Sequence, residues 1–204
     1  MEGSVTPYPF AYEEGEHVRR HAPSGWADYQ KYRPWLRDEF CFRCVYCLNR
    51  ERWVDMRRGF QIDHSVPQKL RPDLKADYGN LLYLCPSCNS MKSAHLLADP
   101  CDVALSSCIR FQRDGTVEFL NKEGERIVEV LGLDTPRLVD FRRCKIGALE
   151  SLYQHDPILF VEEMSFPQDL PDLTEKHPSK NLKPEGVGNS WFALRERGEL
   201  PEVY

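Results

Sequence analysis

The stretches that decide the fold read CVYC at residues 44–47 and CPSC at residues 85–88. Each is a C-x-x-C pair, and 37 residues lie between Cys47 and Cys85. One C-x-x-C turn brings two thiolates to one side of a metal ion, and two such turns complete a tetrahedral four-sulfur zinc site. A site of this kind has no open coordination position. The sequence therefore predicts a zinc ion that stabilises the fold and takes no part in chemistry, held by Cys44, Cys47, Cys85 and Cys88.

A neighbouring cysteine leaves this ligand set open at one point. Cys41 stands at the same C-x-x-C spacing from Cys44 as Cys47 does. We favour Cys44 with Cys47, because Tyr46 and Cys47 lead directly into the next predicted strands. Cys41 is then expected at the end of the preceding helix, as a spare thiol.

The composition is that of an ordinary folded protein. The chain has 204 residues, of which 41% are hydrophobic and 29% are charged. No apolar run approaches the roughly 18 residues that a membrane helix needs. Residues 1–10 also lack the basic start and apolar stretch of a signal peptide. We therefore expect a cytoplasmic protein without a membrane partner, in which clustered cysteines bind metal and do not form disulfides.

Charge is unevenly distributed along the chain. Residues 31–95 contain 12 Lys/Arg and 7 Asp/Glu, a net charge of +5, whereas residues 96–204 contain 13 and 20, a net charge of −7. This is the sign expected if only the cysteine-rich half contacts phosphate.

The hydrophobic pattern predicts an α+β protein whose first two parts surround the cysteines. Residues 1–25 are expected to be an N-terminal extension, loosely ordered or draped on the surface. Residues 26–98 are expected to form the zinc-containing domain, beginning with a helix over residues 26–42 that breaks or restarts near Pro34. Two short strands are predicted on either side of Arg57-Arg58-Gly59, the second ending at His64. A third strand is predicted at residues 81–84, and a helix at residues 89–97.

The remaining two parts have a different texture. Residues 99–165 are expected to be a hairpin and helical region, with hairpin strands at residues 108–111 and 117–120. Helical spacing of apolar residues continues at residues 126–131, and Asp134-Thr135-Pro136 predicts the start of a helix that reaches Tyr153. Residues 166–204 are polar and Pro-rich, which predicts an extended arm. Its apolar cluster at residues 191–194 is expected to dock on this chain or on a partner.

Particular polar residues accompany the two cysteine pairs. Asp63-His64 ends a predicted strand and is followed by Pro67, Asn80-Leu81 begins the next strand, and Asn89 follows Cys88 directly, with Lys92 three residues later. In this order and spacing, residues 44–92, about a quarter of the chain, resemble the HNH nuclease family, whose members have a ββα-metal fold. The resemblance implies a zinc-stapled ββα-metal core with an N-terminal helix, followed by the hairpin, the helical region and the arm. Asn89 stands where many members have histidine. Members with asparagine there look equally competent, so the departure changes the metal ligand and not the class.

The resemblance implies a metal-dependent endonuclease and gives each residue a role. His64 would be the general base that activates water, Asp63 and Asn89 would hold one Mg²⁺ or Mn²⁺, and Asn80 would brace the loop that carries His64. Products would carry a 5′-phosphate and a 3′-hydroxyl. The residue types suit this chemistry, because histidine changes charge nearest neutral pH and carboxylate and amide oxygens are hard ligands. Asn80 could equally cap a turn.

Basic residues surround the predicted site in the sequence. Arg57 and Arg58 at the predicted hairpin tip, with Lys69 and Lys92, are the predicted nucleic-acid contacts. An ordinary solvated surface is the alternative for each of them. The wider set of basic residues in this region comprises Arg43, Arg50, Arg52, Arg71 and Lys75.

Three functions remain compatible with these patterns. The first is an HNH endonuclease acting on DNA, double-stranded DNA in the first instance. The second is a non-catalytic zinc module that binds nucleic acid or protein, which would have no need of Asp63, His64 and Asn89. The third is a nuclease that acts as the effector subunit of a larger machine, such as a bacterial anti-phage defence system with an ATPase or another sensor subunit. It is motivated by a compact nuclease module, an acidic C-terminal half and an aromatic cluster at the end of the arm. The sequence leaves open DNA or RNA, nicking or double-strand cutting, sequence specificity and a homo-oligomeric state.

Overall fold

The structure is a computed structural model that describes residues 8–53 and 59–204. Its helices are α1 (Arg33–Glu39), α2 (Pro86–Lys92), α3 (Lys122–Leu131), α4 (Pro136–His155), α5 (Pro157–Met164), α6 (Glu185–Gly188) and α7 (Trp191–Glu196). Its strands are β1 (Pro23–Ser24), β2 (Gln61–His64), β3 (Leu81–Leu84), β4 (Ile109–Phe111), β5 (Val117–Phe119) and β6 (Lys180–Asn181). The strands form antiparallel pairs, β1 with β6, β2 with β3 and β4 with β5. The predicted α+β class is confirmed.

The region before the first cysteine pair divides at a proline, as the sequence predicted. A 3-10 turn covers Tyr29–Tyr32, and α1 begins at Arg33 with Pro34 in its first turn. Proline is tolerated there because the first turn of a helix needs no backbone N–H donor. Trp35 and Leu36 are fully buried, so α1 packs its apolar face into the same core as β3.

The ββα unit is built from β2, β3 and α2. Asp63 pairs with Leu82 and His64 with Leu81 in the antiparallel register, and all four residues of β3 are buried. The first strand of the predicted pair was expected to contain Trp53, Val54 and Met56. The prediction is wrong at Trp53, which lies in a 3-10 turn, and residues 54–58 lie outside the described residues. Within the part of the chain that is described, β2 pairs with β3, the strand that leads into the second cysteine pair.

The helix after the second cysteine pair begins earlier than the sequence predicted. It was expected at residues 89–97, but α2 spans Pro86–Lys92. The Cys85 Sγ accepts a hydrogen bond from the Cys88 N–H at the N-terminus, and Pro86 occupies the first turn. Ser93 has a φ of 46° and ends the helix.

The region beyond residue 99 follows the prediction more closely. Strands β4 and β5 form the expected hairpin, and α4 begins after Thr135 and continues to His155, past the predicted Tyr153. Helix α5 was not predicted, because its short apolar run at residues 157–164 lacks a clear polar face. In the portion of the chain with described coordinates, no helix is both long and apolar enough to cross a membrane.

Both ends of the described chain pack on the body of the protein. The N-terminal segment was expected to be loosely ordered or draped on the surface; Phe10 and His21 are buried, and β1 pairs with β6. The segment after Phe166 was expected to be extended, yet it forms α6 and α7 and packs in a second apolar cluster. This cluster contains Phe42, Phe166 and Leu170 at its centre, with Trp191, Phe192, Leu200 and Tyr204 against them. The apolar residues 191–194 therefore dock on this chain.

Candidate metal centres and active site

Four cysteines converge as the sequence predicted. The Sγ atoms of Cys44, Cys47, Cys85 and Cys88 all lie within 4.8 Å of one another, and all four residues are buried. The first pair sits on a tight turn in which the Leu48 N–H donates to the Cys44 carbonyl over 2.9 Å. The Val45 N–H donates to the Tyr83 carbonyl over 3.1 Å, which ties this turn to β3. The second pair opens α2, so the cluster joins a turn, a strand and a helix.

The geometry and chemistry of the cluster fit a structural zinc ion. A tetrahedral zinc with Zn–S bonds of about 2.3 Å separates its sulfur atoms by roughly 3.8 Å. The Cys47 Sγ and Cys85 Sγ atoms are 3.6 Å apart. Hydrogen bonding with the Cys44 thiol lowers the pKa of Cys85 and raises the pKa values of Cys47 and Cys88, because neighbouring thiols cannot all ionise here without a cation. Cys41 is half-buried and lies outside this cluster.

One face of β2 meets α2 through two side-chain pairs. Side chains alternate along a strand, so Gln61 and Asp63 share a face, and residues three apart on a helix are neighbours, as Asn89 and Lys92 are. The Asn89 Nδ2 donates to the Gln61 Oε1, and the Lys92 Nζ lies 2.9 Å from the Asp63 Oδ2. These two neighbouring contacts join β2 to α2, and they place the Asp63 carboxylate and the Asn89 amide between the same strand face and the helix.

His64 is held in one orientation at the end of the same strand. Its side chain is nearly buried, with 5% of the residue exposed. Its Nε2 lies 2.9 Å from the backbone oxygen of Lys75, and its Nδ1 lies 3.2 Å from the Gln68 Nε2. A carbonyl oxygen only accepts and an amide NH₂ only donates, so Nε2 carries the proton and Nδ1 carries the lone pair. The Tyr29 ring packs edge-on against the imidazole at 4.9 Å between centroids, which fixes the ring plane.

Asn80 spans the loop that connects β2 to β3. Its Oδ1 accepts from the Val66 N–H over 2.8 Å, and its Nδ2 donates to the carbonyls of Val66 and Leu74 over 3.1 and 3.3 Å. Its own carbonyl accepts from the Ser65 N–H over 2.8 Å. Asn80 is buried. Its hydrogen bonds to Val66 and Leu74 hold both ends of the loop segment whose Lys75 carbonyl contacts His64.

The predicted nucleic-acid contacts are placed very differently from one another. Lys69 is exposed. Lys92 was predicted to contact phosphate, but it is fully buried, and its Nζ donates to the His64 carbonyl over 2.8 Å and pairs with Asp63. This burial leaves no surface for a phosphate contact and makes Lys92 part of the interior. Arg57 and Arg58 lie outside the described residues.

The wider basic set also divides by burial. Arg50 is buried with its guanidinium on the carbonyls of Met164 and Tyr204, and Arg43 stacks over the Tyr204 ring, so both are committed to packing. Arg52 donates to the Ser165 hydroxyl, and Arg71 pairs with the exposed Asp73. Lys75 is exposed through its side chain, while its carbonyl serves His64.

Sequence reasoning missed three residues that contact the predicted site. Gln61 bonds Asn89, Gln68 bonds His64 and Tyr29 packs on His64. Strand alternation could have found Gln61, because it lies two residues before Asp63 on the same face. Tyr29 lies far away in the sequence, and only the tertiary fold brings it to the imidazole.

Comparison with known proteins supports the predicted resemblance to the HNH family. Residues 44–95 match the model of a family described as HNH endonuclease, and this span contains both cysteine pairs, Asp63, His64 and Asn89. A comparison with curated proteins finds no match to the chain. The chain therefore carries an HNH domain, with a four-cysteine cluster of the zinc-binding kind, as the sequence resemblance predicted. An HNH domain indicates a nuclease-type or nucleic-acid-binding role.

Proposed function

We propose that the chain is a metal-dependent endonuclease that hydrolyses DNA phosphodiester bonds with His64 as its general base. The observation that carries the proposal is that Asp63 and His64 are consecutive residues at the end of β2 and that Asn89 bonds to Gln61 on the same strand, inside the residues that match the HNH family. A module that only bound nucleic acid through its surface would have no need for this combination of an oriented imidazole and two hard oxygen donors.

His64 is suited to take a proton from an attacking water at Nδ1. The Lys75 carbonyl holds the proton on Nε2, so the lone pair of Nδ1 faces the Gln68 amide. Water must displace this amide when substrate binds, since Nδ1 has one lone pair. Once protonated, the imidazolium keeps its Nε2–H bond to the Lys75 carbonyl, which then becomes a stronger, charge-assisted hydrogen bond.

Asp63 and Asn89 fit a hard divalent cation such as Mg²⁺ or Mn²⁺. Lys92 engages the Asp63 Oδ2, and Gln61 engages the Asn89 Nδ2, so each ligand keeps an oxygen for the cation. Only 15% of the Asp63 side chain is exposed, and Asn89 is half-buried, so the donors are fixed and also reachable from solvent. A cation bound there would supply Lewis-acid stabilisation for the charge that develops on the phosphate and on the leaving 3′ oxygen.

The remaining roles complete the proposal. Asn80 braces the loop that orients His64, and Lys69, with Arg57 and Arg58, would bind the phosphate backbone. The basic character of residues 31–95 supports an anionic substrate. Hydrolysis by this route leaves a 5′-phosphate and a 3′-hydroxyl. The alternative function is a zinc-containing module that binds nucleic acid or protein without cutting it.

Replacement of the general base separates these functions. We expect His64→Ala to lower Mg²⁺- or Mn²⁺-dependent nicking of plasmid DNA by about 10²- to 10⁴-fold, the usual contribution of general acid–base catalysis. His95→Ala is the matched control, because His95 is an exposed histidine of the same domain, and it should cut at the wild-type rate. Plasmid, linear DNA, single-stranded DNA and RNA are assayed in parallel. Undiminished nicking by His64→Ala would refute the catalytic assignment.

We also propose that the chain is the effector subunit of a multi-protein defence system. The compact HNH domain and the acidic residues 96–204 still favour a partner that delivers the substrate. The aromatic end of the arm no longer supports it, because Trp191 and Phe192 pack on this chain. The same nicking assay, performed on the monomer fraction from size-exclusion chromatography, measures whether the chain needs a partner or a second copy.

A further inference from the structure

An asparagine in a metal-ligand position raises a problem that aspartate does not. The side-chain amide has an oxygen that can bind a cation and an NH₂ group that cannot, and the two ends have nearly the same shape. If the NH₂ group of Asn89 faced the cation, it would present hydrogen atoms to a positive charge. Some neighbour must therefore select the orientation of this amide.

Gln61 is the residue placed to make that selection. It lies on β2 two residues before Asp63 and on the same strand face, and its Oε1 accepts a hydrogen bond from the Asn89 Nδ2. The neighbouring ion pair, in which the Lys92 Nζ lies 2.9 Å from the Asp63 Oδ2, keeps α2 aligned with β2, so Asn89 stays opposite Gln61. Once Nδ2 is committed to Gln61, the Asn89 Oδ1 is the end that remains for a ligand.

We propose that Gln61 is a positioning residue that fixes the amide of Asn89 so that its oxygen, together with the Asp63 carboxylate, holds the divalent cation. The proposal rests on the proposed nuclease function and adds the residue that sets its metal-ligand geometry. It also gives a physical reason why asparagine can serve at position 89 in this chain, since a neighbouring side chain orients its amide.

Metal affinity can be measured without DNA or turnover. The full-length, zinc-loaded chain is titrated with Mn²⁺ alone, and free Mn²⁺ is read from its electron paramagnetic resonance signal. We expect Gln61→Met, which keeps the chain length but cannot accept the hydrogen bond, to weaken Mn²⁺ binding by about 10- to 100-fold, as loss of a partner that orients a metal ligand does. We expect Gln61→Glu, which can still accept from the Asn89 Nδ2, to bind at least as tightly as the wild type.

A second background distinguishes positioning from packing. Asn89→Asp places an oxygen at both ends of the side chain, so orientation no longer matters. In that background Gln61→Met should change Mn²⁺ affinity by less than about threefold, and the difference between the two backgrounds is the coupling energy of a double-mutant cycle. If Gln61 only packed against α2, its replacement would lower Mn²⁺ affinity by the same factor in both backgrounds.

The outcomes separate this inference from the proposed function. If the wild type neither binds Mn²⁺ nor cuts DNA, the proposed function fails. If the wild type does both, but Gln61→Met binds Mn²⁺ as tightly as the wild type or weakens Mn²⁺ binding equally in both backgrounds, then only the proposed role of Gln61 is overturned. Thermal melting verifies that each variant is folded. If Gln61→Met melts too low to assay, Gln61→Leu replaces it, since leucine also cannot accept the hydrogen bond, adds no charge beside the cation site and should give the same loss.

Discussion

Lys92 illustrates at the scale of the residue how burial changes the meaning of a charge. In the sequence it is a basic residue three positions after Asn89, and it was predicted to contact phosphate. In the structure it is fully buried, with its ammonium on the Asp63 carboxylate and the His64 carbonyl. Both groups belong to the proposed site, so Lys92 stabilises the end of β2 from the inside.

A stability measurement tests this role. We expect Lys92→Met to lower the free energy of unfolding in urea by about 3 kcal/mol, because removing one partner of a buried ion pair leaves the other without its counter-charge. Lys69→Met, an exposed lysine of the same domain, should change it by less than about 0.5 kcal/mol. Unchanged stability in Lys92→Met with weaker DNA binding would instead favour the phosphate contact.

The four-cysteine cluster sets the geometry of the site at the scale of the elements. It joins the turn at residues 44–47 to the start of α2. The turn at residues 44–47 is also hydrogen-bonded to β3, through the Val45 N–H and the Tyr83 carbonyl. Because α2 begins at this cluster, Asn89 and Lys92 are carried to the face of β2 that holds Gln61 and Asp63. The cluster thus assembles the proposed active site without contributing a reacting group to it.

Removal of zinc should therefore dismantle the site. We expect Cys88→Ser, or treatment with a strong chelator, to lower the melting temperature by more than about 10 °C, since structural zinc contributes folding free energy directly. Cys41→Ser is the control, because Cys41 lies outside the cluster, and it should retain one zinc per chain and the wild-type melting temperature. Zinc content is measured by atomic absorption. A zinc-free chain that melts like the wild type would contradict the structural role.

Two distant parts of the chain meet on α1 at the scale of the whole molecule. Asp38 and Glu39 are buried acids, and they receive His21 at 2.7 Å and His17 at 2.9 Å from the N-terminal segment. The Trp191 N–H donates to the Asp38 Oδ2 over 2.8 Å, and its indole N–H donates to the Asp38 carbonyl over 3.0 Å. Buried carboxylates require such partners, so they draw both segments onto the domain.

Trp191 gives a test of this docking. We expect Trp191→Ala to reduce the free energy of unfolding by about 2 kcal/mol, because a half-buried indole that packs on Phe166 with 4.7 Å between ring centroids and donates a hydrogen bond is lost. Leu182→Ala, in the same segment but 78% exposed, should have little effect. If the two variants had the same stability, the arm would be free in solution, and its apolar residues would be available to dock on a partner.

Sequence alone determined the parts of this protein whose signal is local or carried by spacing. The two C-x-x-C pairs predicted the zinc ligands, Pro34 predicted the break before α1, and alternating or helical apolar residues predicted β3, the β4–β5 hairpin and α4. Spacing between Asp63-His64, Asn80 and Asn89 also predicted the HNH domain, because these residues lie on short elements next to the cysteines.

Tertiary structure decided everything that depends on which surface a side chain faces. It buried Lys92, set Gln61 against Asn89, carried Tyr29 to His64 and folded the Pro-rich arm onto Phe42. These contacts join residues far apart in the chain, and they are selected by the burial of apolar area and by the need of buried polar groups for partners. The periodicity of apolar residues shows which face of an element is buried, but the choice of partner for that face leaves no periodic mark, since it is made only when the whole chain has folded.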